Sequence, residues 1–143
     1  MKYKHIFFDL DHTLWDFAVN SELALRQIFE ENRLDERGIE SFEKFHHKYV
    51  PINDRYWARY HNGAVSKEKL RHGRFYDTLR EFNINNTDLA EIMAESYVTI
   101  SPKMTALFPD AVEVLKYLQG KYKLHLITNG FAEMPGTDDC VHL

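Results

Sequence analysis

The sequence holds 143 residues, with 18 Lys and Arg against 22 Asp and Glu for a formal charge of -4. That suffices for one ordinary domain or part of a larger one, and the acidic balance offers no basic field to hold a nucleic-acid polymer. A single cysteine, Cys140, closes no intramolecular disulfide, which excludes a secreted cystine scaffold and fits a cytoplasmic setting. Asp9 and Asp11 arrive too early for a signal-peptide apolar region, and no run is long enough to span a bilayer.

His5-Ile6-Phe7-Phe8-Asp9-Leu10 is a continuous apolar run ended by acids, the pattern of a parallel strand buried on both faces. Helical spacing follows. Leu25, Ile28 and Phe29 make a first stripe behind the cap candidates Asn20 and Ser21. Phe42, Phe45 and Tyr49 make a second. Tyr56, Trp57 and Tyr60 make a third, entered at Pro51 and closed by Asn62-Gly63. A fourth helix after Ser66 carries Phe75, Leu79 and Phe82. A fifth, capped by Asn86 or Thr87, carries Leu89, Ile92, Met93 and Tyr97. Pro109-Asp110 opens one more, with Val112, Leu115 and Leu118 inward and Gly120 near its end. It feeds a second buried strand, Leu124-His125-Leu126-Ile127-Thr128, which ends at the turn pair Asn129-Gly130.

The pattern is an expanded β-α-β unit: an α/β core over residues 1–15 and 102–143, with an all-helical insertion over 16–101. After Gly130 a helix begins at Phe131 but meets Pro135-Gly136 within about a turn, and the tail has no period. Two parallel strands make an incomplete sheet. Its exposed edge invites self-association.

Ligands of open α/β sheets bind at the carboxyl edge of the strands, where Asp9-Leu10-Asp11 sits. Residues i and i+2 of a strand share a face, so both carboxylates can serve one site. They suit a nucleophile, a proton donor or ligands for a hard cation. An acidic strand exit in which Asp11 caps a turn is the plainer alternative.

Ile6-Phe7-Phe8-Asp9-Leu10-Asp11-His12-Thr13-Leu14 resembles the first motif of the haloacid dehalogenase-like (HAD) hydrolase superfamily. Leu126-Ile127-Thr128-Asn129-Gly130 resembles the second, and the helical insertion lies where that family places its C1 cap domain. The wording of both motifs looks closest to the pyrimidine 5'-nucleotidase branch. The resemblance implies a HAD-like Rossmannoid core with an all-helical cap, acting on a small phosphorylated metabolite such as a nucleoside 5'-monophosphate. It implies Asp9 as nucleophile through an aspartyl-phosphate, Asp11 as general acid and base, and Thr128 and Asn129 as phosphate ligands. It further implies Mg2+ held by the Asp9 carboxylate and the backbone carbonyl of Asp11. Asp11 separates two chemistries: an alkoxide leaving group needs a proton and a halide does not, so a phosphatase is favoured over a haloacid dehalogenase.

The family's lysine and its later acidic pair have no counterpart after Gly130. Asp138-Asp139 follows no apolar strand and reads as a solvated tail. The chain therefore reads as C-terminally truncated, and a non-catalytic fragment or interaction module stands as the rival from another class. His46-His47 diverge on a helix and make no chelate. His12 reads as a loop residue at the pocket mouth. Tyr56, Trp57, Tyr60, Phe75 and Tyr76 read as core of the insertion rather than a base-stacking platform. Arg55, Arg59, Arg71 and Arg74 read as exposed helix-face charges.

Overall fold

The computed structural model describes residues 3–128 and the backbone of residues 140–142. Strand β1 (His5–Asp9) leads into helix α1 (Phe17–Glu31), followed by α2 (Phe42–His61), α3 (Lys67–Arg80) and α4 (Thr87–Ile100). A 3-10 turn at Ser101–Lys103 precedes α5 (Ala111–Gln119), β2 (Lys123–Ile127) and β3 (Cys140–His142). Two compact units result, Met1–Ser21 with Met104–Leu143, and Glu22–Lys103.

In the first unit β1 and β2 pair in parallel, from His5 opposite Lys123 to Asp9 opposite Ile127. β3 pairs antiparallel with β2 and gives the order β1-β2-β3. The tail read as aperiodic thus adds a short strand. Burial departs from the sequence expectation. Phe7 is 54% exposed and Ile127 44%, so neither strand is covered on both faces. Only α5 among the described helices packs on β2, and one short helix covers one face of a sheet. α5 itself leaves Val112 and Tyr117 exposed, with Leu115 and Leu118 half-buried. Its cap position, Asp110, has φ 65 and makes no side-chain cap bond. His125, a polar group in an apolar run, is buried and meets His5 across the strands, Nδ1 to Nε2 at 2.8 Å. One ring donates and the other accepts, which satisfies both nitrogens.

The second unit is entirely helical and carries most of the buried apolar residues. Leu25, Ile28, Leu34, Ile39, Phe45, Leu70, Phe75, Leu79 and Met93 are all at 1% exposure or less. The rings of Phe45, Tyr49, Phe75 and Tyr97 run through it with successive centroids 5.9, 5.2 and 6.0 Å apart. Ser66 caps α3 and Asn86 caps α4, each accepting a backbone N–H three residues on. Leu89, Met93 and Tyr97 face inward from α4, but Ile92 stays 55% exposed.

Two sequence expectations fail here for physical reasons. The stripes either side of Pro51 belong to one helix, α2. Pro51 lies on its exposed side, where the carbonyl that loses an N–H partner has water to turn to. Asn20 is no cap. α1 begins earlier, and the Asp16 carboxylate accepts from Val19 N–H at 3.2 Å.

Gly73 marks a close approach between α2 and α3. A Cβ there would lie 2.6 Å from the Tyr56 hydroxyl oxygen, which is itself held by donation to Asp77 Oδ2 at 2.8 Å. Gly73→Ala is therefore expected to destabilise the protein by about 1–2 kcal/mol, overpacking outweighing the gain in helix propensity. A lower urea midpoint checks this; an unchanged or higher midpoint contradicts it.

Candidate active site

β1 delivers Asp9 to its carboxyl end, opposite Ile127. One further bond, Leu10 N–H to the Ile127 carbonyl at 3.1 Å, extends the ladder past the strand. Thr128, next along β2, therefore stands at the same edge as Asp9.

Strand alternation does not place Asp11, because β1 stops at Asp9. A tight turn does. The Leu10 carbonyl accepts the N–H groups of Leu14 at 3.1 Å and Trp15 at 3.0 Å, and His12 N–H donates to the Trp15 carbonyl at 3.1 Å. His12 adopts φ 62 to close the turn, a left-handed conformation open to His at modest cost. The turn returns Asp11 to the neighbourhood of Asp9, and the two carboxylates sense each other. Burial pushes the Asp11 carboxyl above its ordinary value, the Asp9 charge pushes it the same way, and His12 opposes both. Asp11 is half-buried while Asp9 is exposed.

The turn is strapped to residues 104–108. Asp16 N–H donates to the Ala106 carbonyl at 3.0 Å, and Phe108 N–H to the Leu14 carbonyl at 3.0 Å. Trp15 Nε1 donates to the Met104 carbonyl at 2.9 Å. Asn20, fully buried, completes the strap: its Nδ2 donates to the Ala106 carbonyl at 2.7 Å, and its Oδ1 accepts the Ala106 N–H at 2.9 Å. These supports escape sequence reasoning. An Asn ahead of a helical stripe reads as a cap, and a backbone partner 86 residues away leaves no local signal.

The raised Asp11 value has a consequence for stability. The folded chain holds that proton more tightly than the unfolded one, so folding binds a proton in the interval above the ordinary carboxylate value. Stability is then greatest below the unfolded value and falls as pH rises through the folded one. In metal-free buffer, Asp11→Asn is expected to flatten this part of the stability-versus-pH curve. An unaltered slope contradicts the assignment.

The structure thus brings Asp9, Asp11 and Thr128 to one edge; Asn129 lies outside the described residues, as do Asp138 and Asp139. Among the described residues no three His, Cys, Asp or Glu side chains converge to hold a metal. No described helix is long and apolar enough to cross a membrane.

A family model described as haloacid dehalogenase-like hydrolase matches residues 3–139. The chain belongs to this hydrolase family. It is 32% identical over 134 residues to the pyrimidine 5'-nucleotidase YjjG of Escherichia coli strain K12, covering 94% of this chain and 55% of that protein. It is 30% identical over 131 residues to the pyrimidine 5'-nucleotidase PynA of Streptococcus pneumoniae, covering 91% and 52%. A crystal structure of YfnB from Bacillus subtilis, named as a HAD-hydrolase and bound to magnesium, superposes with a TM-score of 0.74 at 24% identity, covering 92% of this chain and 56% of that one. That likeness shows the HAD fold. The chain spans about half the length of the curated relatives it matches.

Proposed function

We propose that this chain carries the nucleophile and the general acid of a phosphomonoester hydrolase. The observation that carries the reading is the meeting of Asp9, Asp11 and Thr128 at the carboxyl edge of two parallel strands. An Asp9 carboxylate oxygen attacks phosphorus while the bond from phosphorus to the leaving oxygen breaks, which leaves an aspartyl-phosphate. Asp11, whose carboxyl burial and the charge of Asp9 push above its ordinary value, gives a proton to the leaving oxygen. It then takes a proton from the water that releases phosphate and restores Asp9. The Thr128 hydroxyl donates to a phosphoryl oxygen, and Asn129 follows it in the same role.

The Asp9 carboxylate beside a backbone carbonyl is an all-oxygen donor set suited to Mg2+, a hard cation that keeps several waters and is commonly anchored by one or two acids together with substrate phosphates. Asp9 and the Asp11 carbonyl would hold it. When bound it supplies positive charge that offsets repulsion between the phosphate and the acids. A nucleoside 5'-monophosphate is the proposed substrate, supported by the two nucleotidase relatives. The helical unit is proposed as the family's cap domain. The single cysteine supports a cytoplasmic location.

The assay compares phosphate release from p-nitrophenyl phosphate and a nucleoside monophosphate with halide release from chloroacetate, all with Mg2+. Phosphate release alone is expected. Halide release without phosphate release would overturn the reading in favour of a dehalogenase.

A second reading rests on the exposure of Phe7 and Ile127 beside the edge strand β1: the sheet pairs with another polypeptide, a second copy included.

A further inference from the structure

Each strand of the sheet brings one histidine to the same face. Phe7 stands opposite His125 in the parallel pair, so His5, two residues before Phe7, shares a face with His125. His142 of β3 stands opposite His125 in the antiparallel pair, and opposed residues share a face. The first two already meet: His5 Nδ1 lies 2.8 Å from His125 Nε2, in a contact that is only part-buried. Their ring centroids are 5.0 Å apart with planes inclined by 19°, so the two nitrogens face each other edge to edge. The Phe7 ring stacks on His125 at 4.5 Å and 18° and fixes its plane.

His125 is 5% exposed within a run of apolar strand residues, where an apolar side chain would pack without a polar group to satisfy. His5 is exposed, so the junction between the rings opens to solvent on its side. A tetrahedral ion bound at about 2.0–2.1 Å sets two imidazole nitrogens about 3.3 Å apart. The pair therefore has to open by only roughly half an ångström, which rotation of the exposed His5 ring supplies. The ring that donates moves its proton to its other nitrogen, and each neutral imidazole then presents a lone pair. Imidazole suits Zn2+ and similar ions, whereas Mg2+ takes oxygen ligands. The acids are also remote: Asp9 closes the strand that His5 opens, roughly 13 Å away at the rise of a strand.

We propose that this face binds a transition-metal ion of the Zn2+ class. His5 Nδ1 and His125 Nε2 are two ligands, His142 is the third and water takes the fourth position. The described side chains supply the first two, and the strand register supplies the position of the third. The ion ties β1, β2 and β3 together at the end of the sheet away from the acids. The site does not depend on the reading of Asp9 as a nucleophile.

Zn2+ is titrated calorimetrically into the full chain with Mg2+ in excess, so that oxygen ligands at the acids are already engaged. One ion per chain is expected, bound saturably. His5→Phe changes an exposed side chain and is expected to abolish this binding. His142→Ala is expected to weaken it by at least about tenfold, the cost of losing even an outer-shell partner of a metal ligand. Asp9→Asn should bind as the wild type does. Zn2+ should raise the melting temperature of the wild type and leave that of His5→Phe unmoved. Co2+ in its place should give the visible absorption of a tetrahedral complex, absent in His5→Phe. A wild-type chain with no saturable uptake overturns the proposal. So does uptake undiminished in His5→Phe or His142→Ala, or uptake lost in Asp9→Asn.

Discussion

Asp9→Asn is expected to lower phosphomonoester turnover by at least about 10³-fold, because an amide oxygen is a poor nucleophile and triad-type losses of an attacking group are of this order or larger. Asp9 is exposed at the end of β1 and its backbone is held by the β2 ladder, so the isosteric change should leave the fold intact. Asp11→Asn is expected to cost about 10²–10⁴-fold, the usual worth of a general acid. The loss should depend on the leaving group. A nitrophenolate departs without a proton, whereas a sugar alkoxide does not, so Asp11→Asn should spare p-nitrophenyl phosphate relative to a nucleoside monophosphate. Equal losses on both substrates would remove the proton-donor role.

Asn20→Ala is expected to cost about 1–3 kcal/mol, since it strips both Asn20 bonds from Ala106 and leaves that N–H without its partner, while the Ala106 carbonyl keeps only the Asp16 N–H. Against a total stability of about 5–15 kcal/mol this is a large share. Asn20→Asp should cost more at neutral pH, because a carboxylate oxygen would face the Ala106 carbonyl where Nδ2 now stands at 2.7 Å. Amide exchange at Ala106 should accelerate in both variants. An Ala106 amide as slow as in the wild type would mean that the Asp16 and Trp15 bonds hold the strap without Asn20.

The parts of the fold legible in the sequence are those with local physics. Ser66 and Asn86 cap their helices through their own side chains, and the apolar runs before Asp9 and Thr128 form the two parallel strands. What escaped is set by distant partners. Asn20 has a cap's chemistry, yet its bonds go to Ala106. Pro51 has a breaker's chemistry, yet the apolar stripes on either side continue one buried face and carry the helix through it. Arg74 has the composition of a surface charge, and only the packing of α2 and α4 around α3 encloses it. At the site the acids were visible as residue types, but the route to their proximity was not. The hydrogen-bonded turn on the Leu10 carbonyl brings Asp11 back, rather than strand alternation.

The proposed reaction turns on Asp9 taking the phosphoryl group. Acid-quenching the chain during turnover of a phosphomonoester with Mg2+, followed by peptide mass analysis, tests it most directly. One added phosphoryl mass is expected on the peptide containing Asp9, absent in Asp9→Asn. Undiminished turnover in Asp9→Asn, or a phosphoryl group recovered on any other residue, would contradict it.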